Sequence, residues 1–420
     1  MSLPRFIQIH TLHTYPAALL NRDDAGLAKR LPYGGAVRTR VSSQCLKRHW
    51  RTAEDTFALA TIGVPMSVRS RIFAERIAEK IKSEGIAPDI SDAVAAALRD
   101  ALKKDLAKLI KEASKSKPKK KAKTSDDIEE GAAESEPEDD AAQKQAILLG
   151  WEEYRYLENL CRDVGREAAD AASARLSLLQ RLKDEQGNFQ RMTKDCGLEA
   201  ALFGRMVTSD LLAQRDASIS VAHAFTVHGA EVENDYFTVV DDLTKDEGAL
   251  GSAGIFDTEL ASGLYYGYVV VDVPQLVANL EGIAAKDVFA SSTEAAQREL
   301  AGKVTQHLLH LIATVSPGAK RGSTAPYDWA KFVLVEAGDW QPRSLAAAFH
   351  DPLPLKGDAP IRARAASKLT SEIAAFDAAY GMPTTRRFLS LDELSVPAAE
   401  RATLTQLGEW IAQIVRDGAC

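Results

Sequence analysis

The chain has 420 residues, of which 45% are hydrophobic and 26% are charged, and its formal net charge at pH 7 is -7. A chain of this length can bury one large core or two modest ones. It has no apolar run of about 18 residues and no lysine-led signal region, which predicts a cytosolic protein without membrane spans. The net acidity argues against a nonspecific nucleic-acid binder, because such proteins carry a broadly positive field.

Hydrophobic periodicity predicts a mixed α+β chain in which helices interrupt a sheet. In chain order, the predicted elements are a strand at 6–12, helices at 44–51, 57–60, 72–81, 94–110 and 146–182, strands at 219–225 and 263–273, a helix at 291–315, a strand at 329–335, and helices at 361–380 and 397–417. The segment 229–262, rich in Gly and Asp with aromatic residues between them, predicts a protruding hairpin or long loop.

Basic charge is concentrated near the start of this acidic chain. The stretch from Leu19 to Arg51 holds eight lysines and arginines but only two acids, Asp23 and Asp24. Neutral and basic side chains alternate over 37–41, which predicts a strand with one neutral and one cationic face. A helix over 44–51 with serine N-caps follows, and a polyanion backbone fits cations on two adjoining elements. The alternative is a solvated edge strand and a helix with ordinary surface charges.

The segment 111–143 is low in apolar residues and splits into two blocks of opposite charge. Seven lysines lie between Lys111 and Lys123, and nine acids follow between Asp126 and Asp140. This composition predicts a disordered loop. It is either a solvated linker or a flexible electrostatic contact to a DNA backbone.

Four features of the sequence contain residues that could form a chemical site. His307 and His310 are spaced to share a metal on a helix, but no third ligand is near in sequence, so a half-buried helix face is favoured. The segment 317–324 lacks the order of a phosphate-binding loop, although its Lys320 and Arg321 fit RNA phosphates. Asp23 and Asp24 could bind a metal for phosphodiester cleavage, with a structural salt bridge to Arg22 as the alternative. The four scattered cysteines predict neither a zinc ribbon nor a disulfide framework.

Several sequence words resemble those of the CasC family, the backbone subunits of type I-E CRISPR Cascade surveillance complexes. They are spread from residue 5 to about residue 321: LNRDD, GG-x-x-R-x-R-V-SSQ-x-LKR, ALFGRM, VAHAFTVH, YFTVVDDL and SPGAKR. Departures lie mainly between residues 60 and 195 and in the last hundred residues.

The resemblance implies an α+β fold with an RRM-like (ferredoxin-like) palm, an inserted helical finger domain and a protruding thumb hairpin. On this chain the palm is expected at 1–58, 199–228 and 263–420, the finger insertion at 59–198 and the thumb at 229–262, with C-terminal helices closing the chain.

The resemblance also implies which residues bind nucleic acid. Those expected to bind RNA are Arg22, Lys29, Arg38, Arg40, Ser42, Ser43, Gln44, Lys47, Arg48, Arg51, Arg205, Met206, Lys320 and Arg321. Taken alone, Met206 would be a core residue; the family's Met lies beside the guide. Those expected to space bases on the thumb are Tyr236, Phe237, Thr238 and Ile255, where the family pattern can have Trp in place of Tyr236. Candidate contacts to target DNA are Lys115, Lys117, Lys119, Lys120 and Lys121.

The expected function is therefore non-catalytic. Several copies coat the spacer of a CRISPR RNA and present its bases to complementary target DNA, with the large, small, repeat-end-binding and RNA-processing Cascade subunits as further partners and no cofactor, metal or membrane. The alternative is a backbone subunit of an RNA-targeting complex, in which Asp23 or Asp24 and a divalent metal would cut the target RNA.

Overall fold

The computed structural model describes residues 3–115, 146–192, 196–206, 211–239, 254–381 and 384–420. The chain divides into two compact units: 1–63 together with 218–420, and 64–217. The second unit is an insertion in the first, and it begins and ends later in the chain than the 59–198 expected for the helical insertion.

The first unit is built on a long, mostly antiparallel sheet. Its strands are β1 (Phe6–Ala18), β2 (Arg30–Tyr33), β3 (Ala36–Val41), β6 (Ile219–Val221), β7 (Ala224–Thr226), β8 (Glu231–Val239), β9 (Gly254–Asp272), β10 (Phe332–Gly338), β11 (Thr385–Ser390) and β12 (Ala399–Arg401). The main order is β12-β11-β10-β1-β9-β7-β3-β2, with β6 and β8 also paired to β9. Only β11 and β12 pair in parallel among the described strands. The coarse α+β prediction is therefore confirmed.

The central strand β1 of this sheet is enclosed by its neighbours. In β1, Ile7, Ile9 and Leu12 are fully buried, and the strand is covered on both edges because Ile9 pairs with Val269 of β9 and Val335 of β10. Gln8, His10 and Thr11 between them are buried as well, so both faces of β1 are covered although the strand alternates apolar and polar residues.

Helices of the first unit flank the sheet. They are α1 (Ser43–Arg51), α9 (Val273–Glu281), α10 (Glu299–Thr314), α11 (Arg321–Thr324), α12 (Ile361–Tyr380) and α13 (Leu404–Asp417). Pro274 and the Asp272 cap begin α9, and a left-handed glycine ends α9, α12 and α13, as glycine does at many helix ends.

The second unit is mainly helical. It contains β4 (Val68–Ser70), α2 (Phe73–Ser83), α3 (Pro88–Ala101), α4 (Leu106–Lys115), β5 (Ile147–Leu149), α5 (Trp151–Glu167), α6 (Ala171–Asp184), α7 (Gln186–Arg191) and α8 (Leu198–Phe203). Its own core is formed by residues at helical spacing, including Ile77, Leu98, Leu157 and Leu178. Every helix among the described residues is too short or too polar to cross a lipid bilayer.

Some predicted bounds were wrong. The pattern over 146–182 begins with the three-residue strand β5, and the one over 397–417 begins with β12. Residues 111–115 continue helix α4 instead of starting the loop, because Leu106 and Leu109 anchor that helix in the core. The rest of the predicted loop lies outside the described residues.

The predicted hairpin is present. Strands β8 and β9 pair in antiparallel register from Glu231 with Ser262 to Val239 with Gly254. Residues 240–253 between them lie outside the described part.

Candidate nucleic-acid interface

The basic stretch folds into the hairpin of β2 and β3 followed by α1. Gly34 and Gly35 form its two-residue turn with φ of 61° and 76°, which is the conformation that glycine favours in tight hairpins. Gly34 has a second constraint, because a Cβ there would lie 1.4 Å from the His350 carbonyl oxygen.

Helix α1 begins at the serine pair that was predicted to cap it. Ser42 is its N-cap, and its hydroxyl accepts a hydrogen bond from the Cys45 N–H at 3.3 Å. Ser43 is partly buried and donates to the exposed Gln44 side chain at 3.3 Å. The last turn carries Arg48, His49 and Arg51, which suits the negative end of a helix dipole.

The prediction that Arg38 belongs to an exposed cationic face was wrong. Arg38 is fully buried, whereas Val37 is 51% exposed. The Arg38 guanidinium donates to the carbonyl oxygens of Tyr33, Thr226, Phe349 and His350 at 2.9–3.3 Å. It thereby satisfies buried backbone acceptors and cannot reach an external phosphate.

Four other cations of the predicted set do share one surface, which we call the basic surface: Lys29, Arg40, Arg48 and Arg321. Arg40 is partly exposed and contacts the His223 Nδ1 at 2.8 Å. The side chains of Lys29, Arg48 and Arg321 make no hydrogen bond or ion pair within the described residues, and Arg48 and Arg321 are exposed.

The pKa values of three titratable groups are shifted by the positive charges of this surface. Burial lowers the pKa of His223, and the charges of Arg40 and Lys29 lower it further. Burial also lowers the pKa of His49, to which Arg321 and Arg48 add in the same direction.

Burial raises the pKa of Cys45 to about 11, and Arg48 and Lys29 act against that rise. Lys29 and Arg48 each act on two of these three groups, so the positive potential extends from β3 across α1 to the start of α11.

Lys47 and Arg51 are partly buried on α1. Burial lowers the pKa of Lys47. Their aliphatic stems therefore lie against protein while both residues remain on the helix that carries Arg48.

Lys320 is engaged by the β8–β9 hairpin. Its ammonium group donates to the Thr258 hydroxyl at 2.5 Å and lies 5.2 Å from the centre of the Phe237 ring. The neighbouring Arg30 forms an ion pair with buried Glu259 of β9, and the Ala28 N–H donates to the same carboxylate at 2.9 Å. Two cations thus contact the hairpin midway along its paired strands.

The hairpin presents aromatic side chains. Tyr236 is 63% exposed and Phe237 is 38% exposed. The backbones of Thr238 and Ile255 pair directly across the two strands, while their side chains lie outside the described part of the structure.

In the second unit, Arg205 and Met206 have opposite environments. Arg205 is 2% exposed; it forms an ion pair with Glu153 at 2.5 Å and donates twice to the Ala213 carbonyl. The donors of Arg205 are thus used internally, an environment unlike the exposed one expected of an RNA-binding arginine. Met206 is 83% exposed, so it is not a core residue.

The comparison with protein families matches residues 7–415 to the CT1975-like protein model. The chain belongs to the CT1975-like protein family. No curated protein matches it.

The fold of this CT1975-like protein is similar to two solved chains. One, from "CRISPR RNA-guided surveillance complex, pre-nicking", has a TM-score of 0.69 and 24% identity over 97% of this chain and 100% of that chain. The other, from "CRISPR RNA-guided surveillance complex", has a TM-score of 0.53 and 20% identity over 97% of this chain and 98% of that chain. At these identities the similarity shows a common fold.

The acidic pair of the CT1975-like chain is built into a turn. Asp23 accepts a hydrogen bond from the Leu27 N–H at 2.9 Å, and Arg22 and Asp24 are exposed. The salt bridge to Arg22, given as the alternative to a metal site, does not form within the described residues. No cluster of three potential metal ligands occurs in that part of the chain either.

His307 and His310 surround Phe57. The His310 ring stacks on it with centroids 3.6 Å apart, and His307 Nδ1 lies 3.1 Å from the Phe57 carbonyl oxygen. Both side chains are buried, with 8% and 5% of their surfaces exposed, so the helix face is more deeply buried than the half-buried face favoured from sequence.

Sequence reasoning missed Arg30 and His49, which connect distant segments of the chain at the site. The Gly318 N–H lies 3.4 Å from His49 Nε2, which joins α1 to the loop that leads into Arg321. No local pattern predicts these pairings, because their partners are more than two hundred residues away.

Of the candidate DNA contacts, Lys115 is exposed at the last residue of α4. Lys117, Lys119, Lys120 and Lys121 lie outside the described residues.

Proposed function

We propose that this CT1975-like protein is a guide-RNA-binding subunit of a CRISPR RNA-guided surveillance complex. The observation that carries the proposal is the fold similarity, over nearly all of both chains, to a chain of such a complex. The basic surface supports it, since it concentrates positive charge in a protein of net charge -7.

The sheet supports an RRM-like palm. The four strands β10, β1, β9 and β7 are adjacent in that order, and each pairs antiparallel with its neighbour. Helices between β1 and β7 and between β9 and β10 add to this support, since a split βαβ, ferredoxin-like domain has helices at those places.

The basic surface binds the sugar-phosphate backbone of the RNA and does not read its base sequence. Lysine and arginine contacts to phosphates position a nucleic acid without reading it, and guide-directed complexes delegate sequence recognition to base pairing. The cations assigned to phosphates are Arg22, Lys29, Arg40, Lys47, Arg48, Arg51 and Arg321. Affinity is expected to be indifferent to spacer sequence.

The β8–β9 hairpin acts as a thumb that spaces bases. Exposed Tyr236 and Phe237 offer ring faces, and stacking of a base on an aromatic ring contributes roughly 1–3 kcal/mol. Thr238 and Ile255 are assigned to the same task on the strength of the family resemblance, as is the contact of Met206 with RNA.

In this proposal several copies of the chain coat one CRISPR RNA in the cytoplasm and present its bases to target DNA. The remaining Cascade subunits bind around them, and cleavage is left to a recruited nuclease. The chain itself is proposed to be a non-catalytic subunit.

The test is to co-express the tagged full chain with its neighbouring genes and a repeat-spacer RNA, and to record a native mass spectrum of the purified material. We expect several copies on one RNA of repeat-spacer length. An RNA-free monomer, recovered although the partners are expressed, would refute the proposal.

A further inference from the structure

Two large aromatic side chains lie exposed in the loop between α11 and β10. Tyr327 is 73% exposed and Trp329 is 69% exposed, which makes them the two most exposed aromatic side chains in the described part of the chain. Apolar residues scattered singly on a surface are common, whereas neighbouring exposed ones mark an interaction site. Tyrosine and tryptophan are also the residues most used at binding surfaces.

Asp328, between the two rings, holds the backbone of this loop in place. Its N–H donates to the Ser316 hydroxyl at 2.8 Å, and that hydroxyl donates to the Asp328 carbonyl oxygen at 2.9 Å. The mostly buried Asp328 carboxylate accepts a hydrogen bond from the Thr14 N–H at 2.8 Å and forms an ion pair with Lys331. The two rings are therefore attached to a fixed backbone, which lowers the entropy cost of binding a ligand, and the acid between them is neutralised.

The rings lie beside Arg321 of the basic surface. A Cβ at Gly318 would lie 2.6 Å from Cγ of Pro326 and 3.5 Å from Cγ of Arg321. The residue that directly precedes Tyr327 thus packs next to the Arg321 side chain. The Ala325 N–H donates to the Arg321 carbonyl oxygen at 3.0 Å, and the Tyr327 N–H donates to the Ala325 carbonyl oxygen at 2.7 Å. Ala325 has a left-handed φ of 38°, and strain of this kind is concentrated at functional sites.

We propose that Tyr327 and Trp329 are a stacking site for bases of the guide RNA, next to the phosphates held by the basic surface. The choice of RNA as the ligand rests on the proposed function. Sites for single-stranded nucleic acid combine cations that follow the backbone with aromatic rings on which bases stack, and here an exposed arginine and two exposed rings are neighbours.

A nucleic acid is favoured over a protein partner because the free charge beside the rings is positive. The exposed Arg321 side chain makes no hydrogen bond or ion pair within the described residues, whereas the Asp328 carboxylate is paired with Lys331. The site therefore attracts a polyanion and offers ring faces to its bases.

The test measures binding of a single-stranded RNA of repeat-spacer length by the full chain over a range of salt concentrations. The variants are Y327A and W329A, which remove the rings, and Y327F and W329F, which keep an aromatic ring. W340A and Y380A are matched controls, since Trp340 and Tyr380 are exposed side chains of the same unit, and Trp340 follows the opposite end of β10. Thermal unfolding and tryptophan fluorescence are recorded for each protein.

Y327A and W329A should each lose about 5- to 100-fold in RNA affinity, the range expected for one stacked base. Their log-log salt slopes should equal that of wild type because a ring neutralises no phosphate, whereas R321M should have a slope shallower by about 0.7. Y327F, W329F and the two controls should bind as wild type does. RNA should quench the fluorescence of wild type more than that of W329F, and all variants should melt at the wild-type temperature because the changed side chains are exposed.

Wild-type affinity in Y327A and W329A, measured while wild type binds RNA and R321M has the shallower slope, would overturn the stacking site alone. An affinity loss in Y327F and W329F as large as that in the alanine variants would also overturn it, since an aromatic ring would then not be what binds. Unchanged RNA affinity together with fewer copies per RNA in the native mass spectrum of the co-expressed complex would overturn the choice of RNA and identify the rings as a contact to another subunit. Failure of the wild type to bind RNA would overturn the proposed function and the stacking site with it.

Discussion

Arg38 and Arg40 lie two residues apart in β3, and their guanidinium groups have different surroundings. Arg38 is fully buried and donates to four backbone carbonyls, while Arg40 is partly exposed and faces His223. Strand alternation alone would place both on one face. The difference arises because the Arg38 acceptors at Thr226, Phe349 and His350 are supplied by distant parts of the chain.

The substitution R38M is expected to destabilise the protein by about 3 kcal/mol or more, because it leaves several buried carbonyls without a donor. R40M, which removes a partly exposed group, should cost about 1 kcal/mol or less. Urea unfolding followed by circular dichroism measures both. Equal midpoints for the two variants would contradict the structural role of Arg38.

Arg48 and Arg321 are exposed cations from two elements of the basic surface. If each contacts one phosphate, the double variant R48M/R321M should have a log-log salt slope for single-stranded RNA that is shallower by about 1.4. Wild type, with about six phosphate contacts, should have a slope of roughly -4. Binding titrations at several salt concentrations measure both slopes.

A matched control is K356M/K368M, which removes two exposed lysines of the same unit that lie outside the proposed interface. Its slope should equal that of wild type. Equal slopes for all three proteins would show that Arg48 and Arg321 do not neutralise phosphates.

At the scale of elements, a buried charge network ties the central strands to their neighbours. Glu336 of β10 is fully buried; it accepts hydrogen bonds from Arg343 at 2.6 and 3.0 Å and from Arg386 of β11 at 2.6 Å. His10 of β1 lies 3.2 Å from the same carboxylate. Burial alone would raise the pKa of Glu336, but hydrogen bonds and charges from His10 and Arg343 outweigh it and hold the pKa far below its usual range.

Because its pKa is lower in the folded state, ionised Glu336 stabilises the protein above the pKa of the unfolded chain, about 4.3, and this contribution is lost as pH falls below it. At pH 7 the variant E336Q should be roughly 3–5 kcal/mol less stable than wild type. The gap should narrow by up to about 1.4 kcal/mol per pH unit below about pH 4. Denaturant unfolding between pH 3 and pH 7 tests both expectations.

E400Q is the control for this series, since Glu400 pairs with Arg387 but is mostly exposed. Its stability should follow that of wild type within about 0.5 kcal/mol at each pH. A gap between wild type and E336Q that stays constant down to pH 3 would contradict the lowered pKa.

The elements that sequence predicted well are those with a sustained period or a clear cap. Helix α12 has the predicted bounds, and α1 begins beside the serine that caps it. The three-residue strands β5 and β12 were missed because three residues show no period. Their existence depends on pairing with β4 and β11, which no local pattern contains.

For the molecule as a whole, the sequence predicted where positive charge concentrates better than which side chains are available to a ligand. Arg48 and Arg321 are exposed. Arg38 is buried by partners far along the chain, and Arg205 is buried against Glu153 of the same unit. Local composition determines charge density, but accessibility depends on tertiary packing. The anchoring of Lys320 by Thr258 and Phe237 is a further case.

The two charge blocks of residues 111–140 lead to a prediction for the assembled complex. Replacing Lys115, Lys117, Lys119, Lys120 and Lys121 by Gln should leave guide RNA assembly unchanged and weaken binding of duplex target DNA. Each lysine that contacts a phosphate should contribute about 0.9 to the log-log salt slope. Replacing the acids Glu129, Glu130, Glu134 and Glu136 by Gln should have the opposite effect, because they compete for the same lysines. Native mass spectrometry checks assembly and filter binding measures DNA affinity; equal DNA affinity in both variants would identify the segment as a linker.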